Sequence, residues 1–363
     1  MLRCLVIGIV LLVLSAGCGE DPFVEPGDLE HIPFGATPYT PQIPQGFPQL
    51  EQPASNPMTV EGVWLGRKLF FDPILSRDST MSCSSCHLQA SGFTDALPVS
   101  EGVDGIAGKR SAMSLINAGF MYNGLFWDGR AASLEEQALL PVEDPIELHD
   151  TWDNVEAKLQ RHPDYPADFR RAFGIRDKEE ITRDLTVRAI AQFERTLIST
   201  GQSRFDQFMR GEIFLEENEF NGFEMYFDIS GELPDAECAH CHAAPLLTTN
   251  GFRNNGIEDV ATIDDFPDLG LGAVTGDRFD NGKFKIPTLR NIEYTAPYMH
   301  DGRFATLEEV IEHYNSGGFR VENTDPLIRP LGLTEQQKAD LLAFLLTFSD
   351  TTFLTKEAFS NPF

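Results

Sequence analysis

The sequence predicts a mainly α-helical protein built as two similar halves in tandem. Apolar residues recur at helical spacing through much of the chain. The stretch LGRKLFFDPILSRDSTMSCSSCH returns later as NGFEMYFDISGELPDAECAHCH, so that Gly66, Leu69, Phe70, Phe71 and Asp72 line up with Gly222, Met225, Tyr226, Phe227 and Asp228. Each copy ends in the same short pattern, C-x-x-C-H. A repeat of this length marks one structural unit used twice.

The elements follow in chain order. Residues 1–17 read as a secretory signal, with Arg3, an apolar run from Leu5 to Leu14 and a small-residue end; the run is too short for a comfortable membrane span. LSAGC resembles a bacterial lipoprotein cleavage box, which would make Cys18 the acylated first residue. Residues 18–55, rich in Pro, Gly and Gln, read as an extended tether. In 56–205 and 206–363 a helix leads into a cysteine motif and a later helix closes the unit. The closing helices are ITRDLTVRAIAQFERTLIS, apolar at Leu185, Ala189, Ile190, Phe193 and Leu197, and LTEQQKADLLAFLLTF, with Thr334 as N-cap.

The cysteines decide the chemistry. Of six, Cys4 lies in the signal and Cys18 is the expected lipid site, which leaves Cys83, Cys86, Cys238 and Cys241. Each pair is followed directly by a histidine, His87 or His242. A four-cysteine zinc site needs neither histidine. C-x-x-C-H attaches c-type haem through two thioethers, with the histidine as proximal iron ligand. The chain is therefore expected to carry two covalent haems in two tandem cytochrome c-like domains. The formal charge of −28 excludes nucleic acid as a partner and leaves open a cationic redox protein.

Beyond residue 56, the blocks LGRKLFFDPILS, FWDGRAASLEEQALLPVEDPIEL, AIAQFERTLIS and KIPTLRNIEYTAPYMHDGRFATLEEV resemble the bacterial di-haem cytochrome c peroxidase/MauG family. The resemblance implies an enzyme on the periplasmic side of a bacterial membrane, lipid-anchored or soluble, and possible homodimers. It implies a peroxidatic haem in the first half and an electron-transfer haem in the second. Glu147 takes the place of the family's acid-base residue and Gln137 that of a peroxide-orienting glutamine. Trp127 matches the tryptophan that relays electrons between the haems.

Two departures bear on the type of member. The loop VSEGVDGIAGKR has no histidine where many relatives carry one that caps the peroxidatic iron; Val103 stands there. Where peroxidases place a methionine as distal ligand of the second haem, this chain has Tyr314, as MauG-type members do, with Met299 or His313 as alternatives. The resemblance also implies a calcium ion held by the carbonyls of Thr295 and Pro297, with Ser111 in place of the usual asparagine. Three functions follow as expectations: reduction of hydrogen peroxide with electrons from a small cytochrome c or cupredoxin, MauG-like oxidation of a partner protein, or non-enzymatic electron carriage.

Overall fold

The computed structural model describes residues 27–363; the signal over 1–17 and Cys18 lie outside the described residues. The first half contains α1 (Val60–Phe71), the single turn α2 (Cys83–Cys86), α3 (Leu134–Glu143), α4 (Trp152–Arg161), α5 (Tyr165–Phe173) and α6 (Arg183–Glu194). The second half contains α7 (Arg204–Met209), α8 (Glu217–Tyr226), the turn α9 (Gly272–Thr275), α10 (Leu307–Ser316), α11 (Glu335–Leu346) and α12 (Thr351–Leu354). A short antiparallel pair, β1 (Phe252–Arg253) and β2 (Phe284–Lys285), sets Phe252 opposite Lys285 and Arg253 opposite Phe284. Long loops join these elements and carry most of the side chains discussed below.

The sequence repeat marks a helix crossing. In the first half α1 packs on α6, and in the second α8 packs on α11. Gly66 lies at the first crossing, where an added Cβ would come within 1.8 Å of the Ala189 carbonyl oxygen. Gly222 lies at the second, where a Cβ would meet the Asp340 oxygen at 2.2 Å. Glycine at both places lets the backbones approach, and apolar side chains close around the contact. One core gathers Leu65, Leu69, Tyr165, Phe169, Ala189 and Ile190; the other gathers Phe205, Met225, Tyr226, Phe344 and Phe348.

Capping chemistry starts the helices where the sequence places them. Thr59 accepts from the Gly62 amide at the head of α1, and Thr182 from the Leu185 amide at the head of α6. Thr334 forms a capping box with Gln337 at the head of α11.

Two segments cross between regions. The expected tether is without helix over 27–55, but Leu29 is buried in the first core and donates its N–H to the Arg176 carbonyl at 2.9 Å. The chain's end returns to the first half. Phe353 packs edge-on against Phe93 at 5.9 Å, and Arg67 Nε donates to the Ser360 carbonyl at 2.7 Å.

Candidate functional site

Both C-x-x-C-H motifs sit on tight turns beside the helix that precedes them. In the first, the His87 amide donates to the Cys83 carbonyl at 3.0 Å; in the second, the His242 amide donates to the Cys238 carbonyl at 2.9 Å. All four cysteines are free thiols. Residues equivalent in the repeat touch the two histidines: the Phe70 ring lies 6.4 Å from the His87 ring, and the Tyr226 hydroxyl donates to the His242 carbonyl at 2.6 Å.

Each imidazole is oriented from its Nδ1 side. His87 Nδ1 donates to the Phe93 carbonyl at 2.8 Å, and His242 Nδ1 faces the carbonyls of Pro287 and Leu247 at 3.1 and 3.3 Å. A carbonyl only accepts, so it holds the proton on Nδ1 and leaves the Nε2 lone pair free. The His87 ring also meets the Met113 backbone, whereas among the described residues both hydrogen bonds of the His242 ring fall on Nδ1. Burial keeps both rings neutral, with His242 lowered to about 4. Neutral imidazoles oriented from Nδ1, each beside a pair of thiols, suit a covalently attached haem.

The second motif opens into a mainly apolar cavity of about 200 Å³. Cys238, Cys241 and His242 line it, as do Trp127, Met299, Tyr314 and Asn255. The cavity thus joins the haem-binding motif to two of the three expected distal ligands. Burial holds the Tyr314 phenol up at about 12. The third expected ligand, His313, is turned away: its Nε2 donates to the Asn255 carbonyl at 3.0 Å.

Beside the first motif stands Glu147. Burial, reinforced by Asp144, raises its carboxyl to about 7. It is close enough that its charge, with burial as the larger cause, helps push up the Cys83 and Cys86 thiols. The histidine-free loop lies directly on this acid's backbone, where the Val103 amide donates to the Glu147 carbonyl at 2.8 Å. Gln137 is half-buried on α3, one residue from the core residue Ala138.

The remaining histidines have partners of their own, and His149 pairs with Asp104 in the loop beside Glu147. The chain has eight, and apart from His87 and His242 each has its own partner. His31 meets the Asp28 carbonyl, and His149 pairs with Asp104 at 2.6 Å. His162 packs on Tyr165, His240 meets Asp228 and Glu237, and His300 stacks on Phe284 at 3.6 Å. His313 bonds Asn255 as described.

The FWDGR block links the two regions. Trp127 lines the second cavity and donates from Nε1 to the Ser111 carbonyl at 2.9 Å. Three residues on, Arg130 acts on Glu147, its positive charge opposing the rise of that carboxyl. Between them Asp128 pairs with both Arg130 and Arg110, and Arg110 also holds Asp268.

For calcium, Ser111 Oγ donates to the Met299 carbonyl at 3.0 Å and keeps its lone pairs open. No donor among the described residues reaches the carbonyl oxygens of Thr295 and Pro297. Such oxygens can serve a hard cation.

Comparison with known proteins places the chain. The family model for di-haem cytochrome c peroxidase matches residues 60–213. Cytochrome-c peroxidase IdrP1 of Denitromonas iodatirespirans is 33% identical over 352 residues, 90% of this chain and 88% of that protein. The chain belongs to the di-haem cytochrome c peroxidase/MauG family. The methylamine utilization protein MauG of Methylorubrum extorquens is 35% identical, covering 81% of this chain and 80% of its own. Cytochrome c551 peroxidase of Nitrosomonas europaea is 38% identical, covering 71% and 74%. Among solved structures, a MauG-like protein associated with microbial copper homeostasis superimposes with a TM-score of 0.81 at 38% identity, over 89% of this chain and 99% of that one. The enzyme class follows: this chain is an oxidoreductase of the haem peroxidase type, and the family carries two c-type haems.

Sequence reasoning missed two residues of the second cavity. Lys285 is 2% exposed, donates its amide to the Trp127 carbonyl and has its ammonium lowered to about 8 by burial. Asn255 touches all three candidate distal ligands. Neither stands in a spaced motif.

Proposed function

We infer that this di-haem peroxidase reduces hydrogen peroxide at the first site and receives electrons at the second. The observation that carries it is the raised, half-buried carboxyl of Glu147 beside Cys83 and Cys86. Cys83, Cys86 and His87 would hold one haem and Cys238, Cys241 and His242 the other, in cytochrome c-like domains spanning 56–205 and 206–363. When bound, haem supplies the iron that binds peroxide at the first site and takes up electrons at the second.

Glu147 does the proton work. An acid near 7 exists in both forms at neutral pH, so it takes a proton from one peroxide oxygen and delivers it to the leaving one. Gln137, on α3, would orient the peroxide through its amide. With every other histidine engaged elsewhere, the first site stays open without prior reduction. Trp127, on the wall of the second cavity and joined through Asp128 and Arg130 to the neighbourhood of Glu147, relays electrons between the sites.

The donor is a small cationic redox protein, a cytochrome c or a cupredoxin. Between Arg210 and Arg253 the chain has no Lys or Arg, and Glu216, Glu217, Glu232 and Asp235 are exposed in the segment that leads to the second motif. Such a field steers a cationic partner. Tyr314 favours a second reading, oxidation of a partner protein's side chains, because a hard phenolate ligand stabilises oxidised iron. The protein works on the periplasmic side of the membrane, lipid-anchored through Cys18 or free; no helix among the described residues is long and apolar enough to cross a membrane. A calcium ion at Ser111, Thr295 and Pro297 would brace the loop between the sites, and dialysis against a chelator with calcium assay tests it.

The deciding experiment mixes the oxidised holoprotein with one equivalent of peroxide and follows haem absorption over milliseconds. A prompt change, later reversed by reduced cytochrome c, supports the peroxidase. A change quenched only by another protein's side chains favours the second reading. Absence of any change, even after one electron is added, leaves an electron carrier.

A further inference from the structure

The second cavity holds more candidate ligands than one iron can use. Tyr314 and Met299 both line it, and His313 lies next to Tyr314 with ring centroids 5.1 Å apart. A single residue touches all three. The Asn255 side-chain amide nitrogen lies 3.4 Å from the Tyr314 hydroxyl and 3.4 Å from the Met299 sulfur, and the Asn255 carbonyl accepts from His313 Nε2 at 3.0 Å.

We propose that Asn255 is the positioning residue that selects the distal ligand of the second haem. Three parts of its chemistry act together. The backbone carbonyl occupies His313 Nε2. The NH₂ group has two hydrogens, so it serves an oxygen and a sulfur at once. A phenolate accepts such a bond far better than a thioether does, because it is charged. The amide therefore favours Tyr314 as an anionic ligand while holding the Met299 sulfur to one side.

The surroundings make Asn255 a rigid post. It stands two residues beyond β1, after Asn254. The Asn254 side chain donates to Asn323 Oδ1 at 2.8 Å and accepts from the Gly256 amide at 3.0 Å. The Asp325 amide closes on the Asn254 carbonyl at 3.0 Å, and the Phe319 amide on the Gly256 carbonyl at 2.7 Å. On the opposite side Met299 has φ +78°, a left-handed backbone that a side chain rarely adopts. That conformation is held by the surrounding loop, where Ser111 bonds the Met299 carbonyl, and it directs where the thioether can go.

The proposal rests on the reading of Tyr314 as the ligand, and the test separates the two. Holoprotein variants are compared by electron paramagnetic resonance, near-infrared magnetic circular dichroism and reduction potential of the second haem, with haem content as the folding control. Tyr314→Phe changes the second haem's spectrum; an unchanged spectrum overturns the ligand reading and this inference with it. Asn255→Leu loses the tyrosinate signature and shifts the potential positive as Met299 takes over, and adding Met299→Leu removes that shift. His313→Ala leaves the signature as it was. If Tyr314→Phe alters the spectrum while Asn255→Leu keeps the wild-type spectrum and potential, the inference falls and the ligand reading stands. Should Asn255→Leu fail to load both haems, Asn255→Ala, which also removes the amide, is read the same way.

Discussion

The two C-x-x-C-H sites share one scaffold and differ in what faces it. Each is reached from a helix that carries a glycine at its crossing, Gly66 or Gly222, and each presents a histidine whose Nδ1 is held by backbone carbonyls. The difference lies in the residues that surround each motif. Over the first motif stands an acid, Glu147, under a loop with valine at position 103. In the second cavity stand Tyr314, Met299 and Asn255, a set of groups that can fill a coordination site. On the reading proposed above, one scaffold used twice would serve substrate at the first site and electrons at the second.

Removing the acid should break this contrast most severely. Glu147→Gln keeps shape and haem content but cannot take a proton, so peroxide cleavage should slow by about 10²–10⁴-fold in stopped-flow absorbance. Unchanged turnover would take Glu147 out of the mechanism. The same group sets a pH dependence. The base is the deprotonated form, and with the carboxyl near 7 the cleavage rate should climb as pH rises through that value. Below it, the rate should fall roughly tenfold per pH unit. A flat profile between pH 5 and 8 would contradict the assignment.

A third change makes the first site resemble the second. Val103→His places an imidazole in the loop above Glu147. If it occupies the iron nine-tenths of the time, the oxidised protein's response to peroxide should drop roughly tenfold and recover on adding one electron. An unaltered rate would show that this loop does not reach the open face. The smallest effect tests the shared scaffold. Gly66→Ala and Gly222→Ala should each cost roughly 1–3 kcal/mol by overpacking a helix crossing, seen as a lower denaturation midpoint. A loss at one glycine alone would mean that the two crossings are not equivalent.

Much of the architecture was legible because it is written in local or repeated signals. The cysteine motifs, the cap Thr334 and the matched glycines each depend on neighbours close in sequence or on a second copy. Glu147 and Tyr314 were legible only through their surrounding blocks, since an acid after a proline turn and a tyrosine on a helix carry no chemistry by spacing. Asn255 and Lys285 gave no signal at all. Their meaning comes from β1 and β2 pairing across a gap of some thirty residues, which brings them to one cavity. The return of Phe353 and Phe359 to the first half was hidden for the same reason: a short aromatic tail does not name the core it joins.

The central claim is that one haem is open and the other closed in the same resting protein. Electron paramagnetic resonance of the fully oxidised holoprotein tests it most directly. The account predicts two ferric signals of comparable weight, one high-spin from the first site and one low-spin from the second. Two low-spin signals would show that some side chain caps the iron beside Glu147, and would contradict it.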